Sequence, residues 1–191
     1  MHRLFILRHA KAATHPPTPS GGDHDRPLAP RGIAALPGVA RNIAEQLDGH
    51  PLDLVLCSTS ARTRETVELV AQTEPAVAAA PLKLDSLLYL ADPARLLKSL
   101  RKVPADAATV LLCGHNPGLH QLALLLLGDN GTDDSNKGHS DNDERLPPRL
   151  LYDLPTAGLV VVDLDGSWTS IGAGRRSRAG TLRAFIVPSD T

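Results

Sequence analysis

The sequence predicts an α/β fold: a single domain over 1–191 in which helices flank a mostly parallel central sheet. Two observations lead there. Short apolar runs are continuous rather than alternating, as expected of strands buried on both faces. Between them lie stretches of helical periodicity, and strand alternating with helix builds parallel sheets.

In chain order, "LFIL" (Leu4–Leu7) is the first expected strand, followed by a Pro- and Gly-rich loop, "THPPTPSGG" (Thr14–Gly22). A helix is expected over "PRGIAALPGVARNIAEQL" from Pro30, with Pro37 kinking it or breaking it near its start. "LDLVLC" (Leu52–Cys57) is a second strand and "SARTRETVELVAQT" from Ser60 a second helix. "DPARLLKSLRKV" and "NPGLHQLALLLL" are further helices, with Asp92 before Pro93 and Asn116 before Pro117 read as cap-plus-first-turn pairs. "TVLLC" (Thr109–Cys113) and "GLVVVDL" (Gly158–Leu164) complete the expected strands. The acidic segment "GDNGTDDSNKGHSDNDERLPP" carries too few apolar side chains to order itself, and a flexible loop over 129–148 is expected.

Composition narrows the function. A net charge of -1 gives no global positive field for capturing nucleic acid or anionic lipid, so any affinity for anions must be local. The apolar start is too short for a signal-peptide core, and "LALLLL" (Leu122–Leu127) is far below membrane-spanning length. Cys57 and Cys113 end apolar runs without metal-type spacing and read as buried free thiols, which suits a reducing compartment. A soluble cytoplasmic protein is expected, with no membrane or nucleic-acid partner and a monomer as the default.

The informative residues follow the strands. "LFIL" runs into Arg8 and His9, "LDLVLC" into Ser58 and then Arg62, and "TVLLC" into Gly114, His115 and Asn116. In an open parallel sheet these carboxyl ends share one rim, the usual ligand site of such folds. Two guanidinium forks and two imidazoles there supply more donors than a carboxylate can accept, so a phosphoryl group is the expected ligand. Cations beside His9 should lower its pKa and leave a neutral ring able to attack phosphorus, its other nitrogen fixed by a backbone carbonyl.

Other chemistries fit less well. A cysteine phosphatase needs five residues between Cys and Arg, and Cys57 and Arg62 enclose four. Zinc lacks a ligand set, since His120, the neighbour of His115 at suitable spacing, lies in an apolar helix. "GAGRRS" imitates part of a dinucleotide loop without the βαβ unit it requires, and reads as a turn.

Together these segments resemble the histidine phosphatase superfamily. "LRHAKA" is similar to its Arg-His-Gly signature with Ala10 at the Gly position, "CSTSARTRETVEL" to its second-arginine segment, and "GHNPGL" to its second-histidine segment. "DRPLAPRG" (Asp25–Gly32), the pair Leu88 and Tyr89, and "PTAGL" (Pro155–Leu159) resemble the small branch typified by SixA-like phosphohistidine phosphatases. The resemblance implies a phosphoglycerate mutase-like fold and a metal-independent phosphatase without cofactors. It implies His9 as the nucleophile that becomes phosphorylated, with Arg8, Arg62 and His115 binding the phosphoryl group. Asn116 would assist substrate binding or cap its helix.

Larger superfamily members use an acid to protonate an alkoxide. Here Asp85 and Asp92 are the nearest candidates, one reading as a surface acid and the other as a cap. Imidazole leaves more easily than an alkoxide, so phosphohistidine or another activated phosphoryl donor is favoured. The substrate is thus a phosphoprotein or a small phosphorylated molecule. The alternatives are a small-molecule phosphomonoesterase or phosphomutase, which needs an acid near Asp85, and a non-catalytic phospho-ligand binding module.

Overall fold

A computed structural model describes residues 2–128, 146–172 and 179–188. The first half of the chain runs β1 (His2–Arg8), α1 (Pro30–Leu47), β2 (Leu54–Ser58), α2 (Ala61–Ala71), α3 (Pro75–Ala79) and β3 (Leu82–Asp85). It continues through α4 (Pro93–Leu100), β4 (Thr109–Gly114), α5 (Gly118–Leu127), α6 (Pro148–Tyr152), β5 (Leu159–Leu164) and β6 (Gly180–Ile186). The strands form one sheet in the order β3-β2-β4-β1-β5-β6.

Each continuous apolar run is buried on both sides, as the absence of alternation predicts. Leu4 and Ile6 of β1 join Val110 and Leu112 of β4 in a core with α4, α5 and α6; Phe5, Leu7, Leu111 and Cys113 face α1, α2 and α3. The sheet therefore lies between two helical layers.

Parallel pairing of β1 with β4, β2 with β4, and β2 with β3 sets the functional rim. Arg8 stands opposite Gly114, Cys57 opposite Cys113, and Ser58 opposite Asp85, so all four strands end together. β5 differs from expectation: it runs antiparallel to β1, with Leu159 opposite Leu7. A run buried on both faces carries no record of direction. The reversal brings the start of β5, not its end, to the rim, where the Ala157 amide donates to the Arg8 and His9 carbonyls, each at 3.1 Å.

Some local expectations hold and others change. Helix α1 runs unbroken through Pro37, which forfeits only the bond to the Ile33 carbonyl. Asp92 caps α4 by accepting from the Arg95 amide at 2.9 Å. Asn116 does not cap α5; Pro117 holds that position, and the Asn116 amide donates to the Leu154 carbonyl at 2.8 Å. His120, half-buried, bonds the Leu150 carbonyl through Nε2 at 2.6 Å rather than joining a ligand set. Two strands, β3 and β6, form where no continuous apolar run announces them. Most of the acidic segment, and of "GAGRRS", lies outside the described residues; Pro148, assigned to the loop, opens α6.

Glycine is required where helices meet the rim. A Cβ on Gly118, at the start of α5, would collide with the Ala91 carbonyl oxygen, and one on Gly32 with that of Lys11. Neither obstacle is a flexible side chain, so Gly118→Ala should lower stability by about 1–3 kcal/mol. Urea unfolding measures this; an unchanged midpoint would mean that α5 does not seat against Ala91 as described.

Candidate active site

A cavity of about 450 Å³ opens on the rim, lined by Arg8, His9, Lys11, Asp23, Arg26, Arg62, His115 and Asn116 among others. All five residues singled out in the sequence therefore line one cavity. The rings of His9 and His115 lie 5.1 Å apart between centroids, tilted by 58°.

His9 follows the last residue of β1, and its amide continues the ladder to the Gly114 carbonyl at 3.1 Å. Its Nδ1 lies 2.7 Å from the Ala10 carbonyl, which can only accept, so the proton sits on Nδ1 and Nε2 carries a lone pair. The Arg62 Nε–H points at that lone pair from 3.3 Å. Burial is the main reason that the ring's pKa is pushed down to about 4, opposed by the Ala10 bond and reinforced by Arg62, Arg8 and Arg26. The direction agrees with the sequence reading; the leading cause is desolvation rather than the neighbouring cations.

Arg62 stands in the first turn of α2 with its side chain 5% exposed. A network of small hydroxyls holds it against β1 and β2. Thr66 donates to the Arg62 carbonyl at 2.6 Å and accepts from the Ala10 amide at 3.1 Å. Thr63 donates to the Ser58 carbonyl at 2.8 Å. The segment "STSARTRET" is thus a scaffold for one guanidinium.

His115 immediately follows β4 and is 3% exposed. Its Nε2 lies 2.9 Å from the Ser58 hydroxyl. Burial first, then His9 and Arg62, push its pKa down to about 3. Arg8 is anchored by its own donation to the Leu154 carbonyl at 2.8 Å and lies 3.7 Å from an Asp153 carboxylate oxygen.

Three buried side-chain atoms have no hydrogen-bond partner among the described residues: Arg8 Nε, His115 Nδ1 and Asn116 Oδ1. All belong to residues lining this cavity. Buried polar atoms are normally satisfied, so their grouping in residues of one cavity sets this rim apart among the described residues. Two guanidinium groups, a buried imidazole and a neutral ring nitrogen with a lone pair are chemically suited to a tetrahedral oxyanion, and the cationic surroundings disfavour a metal ion.

Sequence reading missed Asp23. Its carboxylate accepts from Tyr89 Oη at 2.7 Å, Arg26 Nη1 at 2.7 Å and Arg62 Nη2 at 2.9 Å, while its carbonyl accepts from Arg62 Nη1 at 2.6 Å. These bonds, the one from Tyr89 foremost, hold its pKa far below the ordinary carboxylate range. Tyr89 also packs edge-on against the His115 ring at 5.3 Å. The Asp-x-x-Arg spacing from Asp23 to Arg26 was the one available signal. Asp85 does not line the cavity: it accepts from the Leu87 amide at 2.9 Å and from Ser99 at 3.3 Å.

An α/β sheet with an oxyanion cavity of arginines and histidines at its carboxyl rim defines a phosphoryl-handling protein. Residues 4–87 match the histidine phosphatase superfamily (branch 1). An uncharacterized protein of Mycobacterium tuberculosis, Rv1276c, is 33% identical over 183 residues, covering 95% of this chain and 99% of the relative. A Nakamurella multipartitia structure described as a candidate phosphohistidine phosphatase SixA superposes with a TM-score of 0.74 at 27% identity, covering 98% of this chain and 96% of that one. An Agrobacterium tumefaciens structure of the same description gives 0.70 at 26% identity, covering 98% of each chain. The chain belongs to the histidine phosphatase superfamily, with a phosphoglycerate mutase-like fold and a SixA-like likeness, and that membership supports a phosphatase.

Burial keeps both imidazoles neutral in the folded protein, whereas an unfolded ring titrates near 6.5. NMR titration should find the His9 ring neutral down to about pH 4 and His115 down to about pH 3. Between these values and 6.5 the unfolded chain binds more protons, so stability should decline as the pH drops through that window. A His9 titration near 6.5 in the folded protein would contradict the buried geometry.

Proposed function

We propose that the protein is a metal-independent phosphatase that passes the phosphoryl group through His9, and that its substrate is phosphohistidine or another activated phosphoryl compound. What supports this reading is that the three residues carrying unpartnered buried polar atoms line the same cavity as His9, whose Nε2 is unprotonated.

In the proposed reaction, Arg8, Arg62 and His115 hold the phosphoryl oxygens and Asn116 orders the rim of the cavity. His115 meets the Ser58 hydroxyl through Nε2, and in this reading its ring proton sits on Nδ1 and engages a phosphoryl oxygen. The His9 Nε2 lone pair attacks phosphorus in line. The bond from phosphorus to the leaving group breaks, and its electron pair departs with that group. Fixed donors stabilise the charge spread over the equatorial oxygens. A water oxygen then attacks phosphorus, the phosphorus–nitrogen bond breaks with its electron pair returning to His9 Nε2, and inorganic phosphate leaves with the added oxygen and both protons of the water.

The acid in the cavity argues for an activated substrate. Asp23 is held as a carboxylate by Tyr89, Arg26 and Arg62 and has no proton to give near neutrality. An alkoxide leaving group needs that proton more than an imidazole does. This also weighs against the phosphomutase reading, which drew on an acid near Asp85.

Parent protein incubated with p-nitrophenyl phosphate should release inorganic phosphate, and His9→Ala should reduce the rate at least about a thousandfold. Unaltered turnover in His9→Ala would remove the proposed nucleophile. Retention of phospho-ligand without release of phosphate would indicate a binding module, and transfer between hydroxyls of a sugar phosphate would indicate a mutase.

A further inference from the structure

Among the described residues that line the rim cavity, Asp23 is the one acid. A carboxylate is out of place in a site for an anion, because it repels the phosphoryl oxygens that the surrounding cations attract. Steadying Arg26 and Arg62 accounts for part of its presence. Those bonds do not exhaust it. A carboxylate offers about four acceptor sites. Tyr89 and Arg62 both donate to Oδ2, whereas Oδ1 accepts from Arg26. Among the described residues Oδ1 therefore keeps an acceptor site open, on a side chain that is 47% exposed.

Its distance from the nucleophile is set by one guanidinium. Arg62 approaches His9 Nε2 with Nε at 3.3 Å and Asp23 Oδ2 with Nη2 at 2.9 Å. A phosphorus seated at His9 Nε2 with an imidazole leaving group beyond it covers a comparable interval. Leu90, 54% exposed, lines the same cavity and offers apolar surface to such a ring. Asp23 is ionised and cannot protonate a leaving group, but it can hold one that brings its own proton.

We infer that Asp23 Oδ1 accepts the ring N–H of a protonated phosphoimidazole, which makes this carboxylate the residue that distinguishes phosphohistidine from other activated phosphoryl compounds. The inference rests on the reading that His9 attacks a phosphoryl group in this cavity. The new bond joins phosphorus to His9 Nε2. As the substrate's phosphorus–nitrogen bond breaks, its electron pair stays on the ring nitrogen that carried phosphorus. The proton on the other ring nitrogen stays where it is, against Asp23, so the leaving group departs as neutral imidazole. No proton changes hands, which suits a carboxylate that three donors keep ionised.

Two activated small molecules test this at about pH 6, where an ordinary imidazole is largely protonated. One is phosphoimidazole, whose free ring nitrogen then carries a proton; the other is its N-methyl counterpart, equally cationic but without the N–H. The parent's kcat/KM should favour phosphoimidazole at least about tenfold, the worth of one charge-assisted hydrogen bond. Asp23→Asn should remove most of that preference, and Asp23→Glu, which keeps the charge, should retain part of it. A carboxylate that only holds Arg62 would, when replaced, slow both compounds alike. Equal kcat/KM in the parent, or loss of both activities in equal measure in the two variants, would therefore overturn the inference. A preference that depends on Asp23 while no phosphate is found on His9 would leave the inference standing and end the covalent reading. Phosphate on His9 with equal parent kcat/KM would do the reverse.

Discussion

A neutral imidazole held between a backbone carbonyl and a guanidinium is the constraint on which this site depends. His9 can present a lone pair only while Nδ1 keeps its proton, and the Ala10 carbonyl enforces that tautomer. Arg62 must come close enough to donate to Nε2, yet a cation beside a protonated ring would be repelled. Burial resolves the conflict by disfavouring the charged ring. The sheet supplies the burial: parallel β1, β2 and β4 end in register, so residues drawn from three separated segments meet on one rim.

The same concentration of guanidinium groups would repel itself without a counterweight. Asp23 provides one, accepting from Arg26 and Arg62 at once, while Asp153 approaches Arg8. A phosphoryl group reaching Arg62 therefore meets a fork whose two outer nitrogens are already engaged by Asp23. In the proposed mechanism the incoming anion competes with a carboxylate on a single 3-10 turn (Asp23–Asp25) rather than with water. That arrangement preorganises the guanidinium and limits what binds to groups that match or exceed the carboxylate as acceptors.

Much of this was legible in the sequence because each signal was local. Continuous apolar runs located the four strands of the sheet's centre, and polar residues directly after them located the rim. Strand direction was not legible, since β5 is buried on both faces and reads alike in either sense. β3, with three of its four residues exposed, and β6, at the other edge, lack the apolar continuity that marks central strands. Asn116 resembled a helix cap in one dimension, but the loop before β5 offers its amide a better acceptor at the Leu154 carbonyl. Asp23 was invisible for a related reason: its role is set by Tyr89 and Arg62, which only the fold brings to it.

The central claim is that phosphate becomes covalently attached to one ring nitrogen of His9. Rapid quenching during turnover of an activated phosphoryl substrate, followed by phosphorus NMR and peptide mapping under alkaline conditions, tests it most directly. The account predicts a phosphoramidate on His9 Nε2 that is stable to alkali and lost in acid. Steady turnover with no such adduct, or with phosphate attached to another residue, would contradict it.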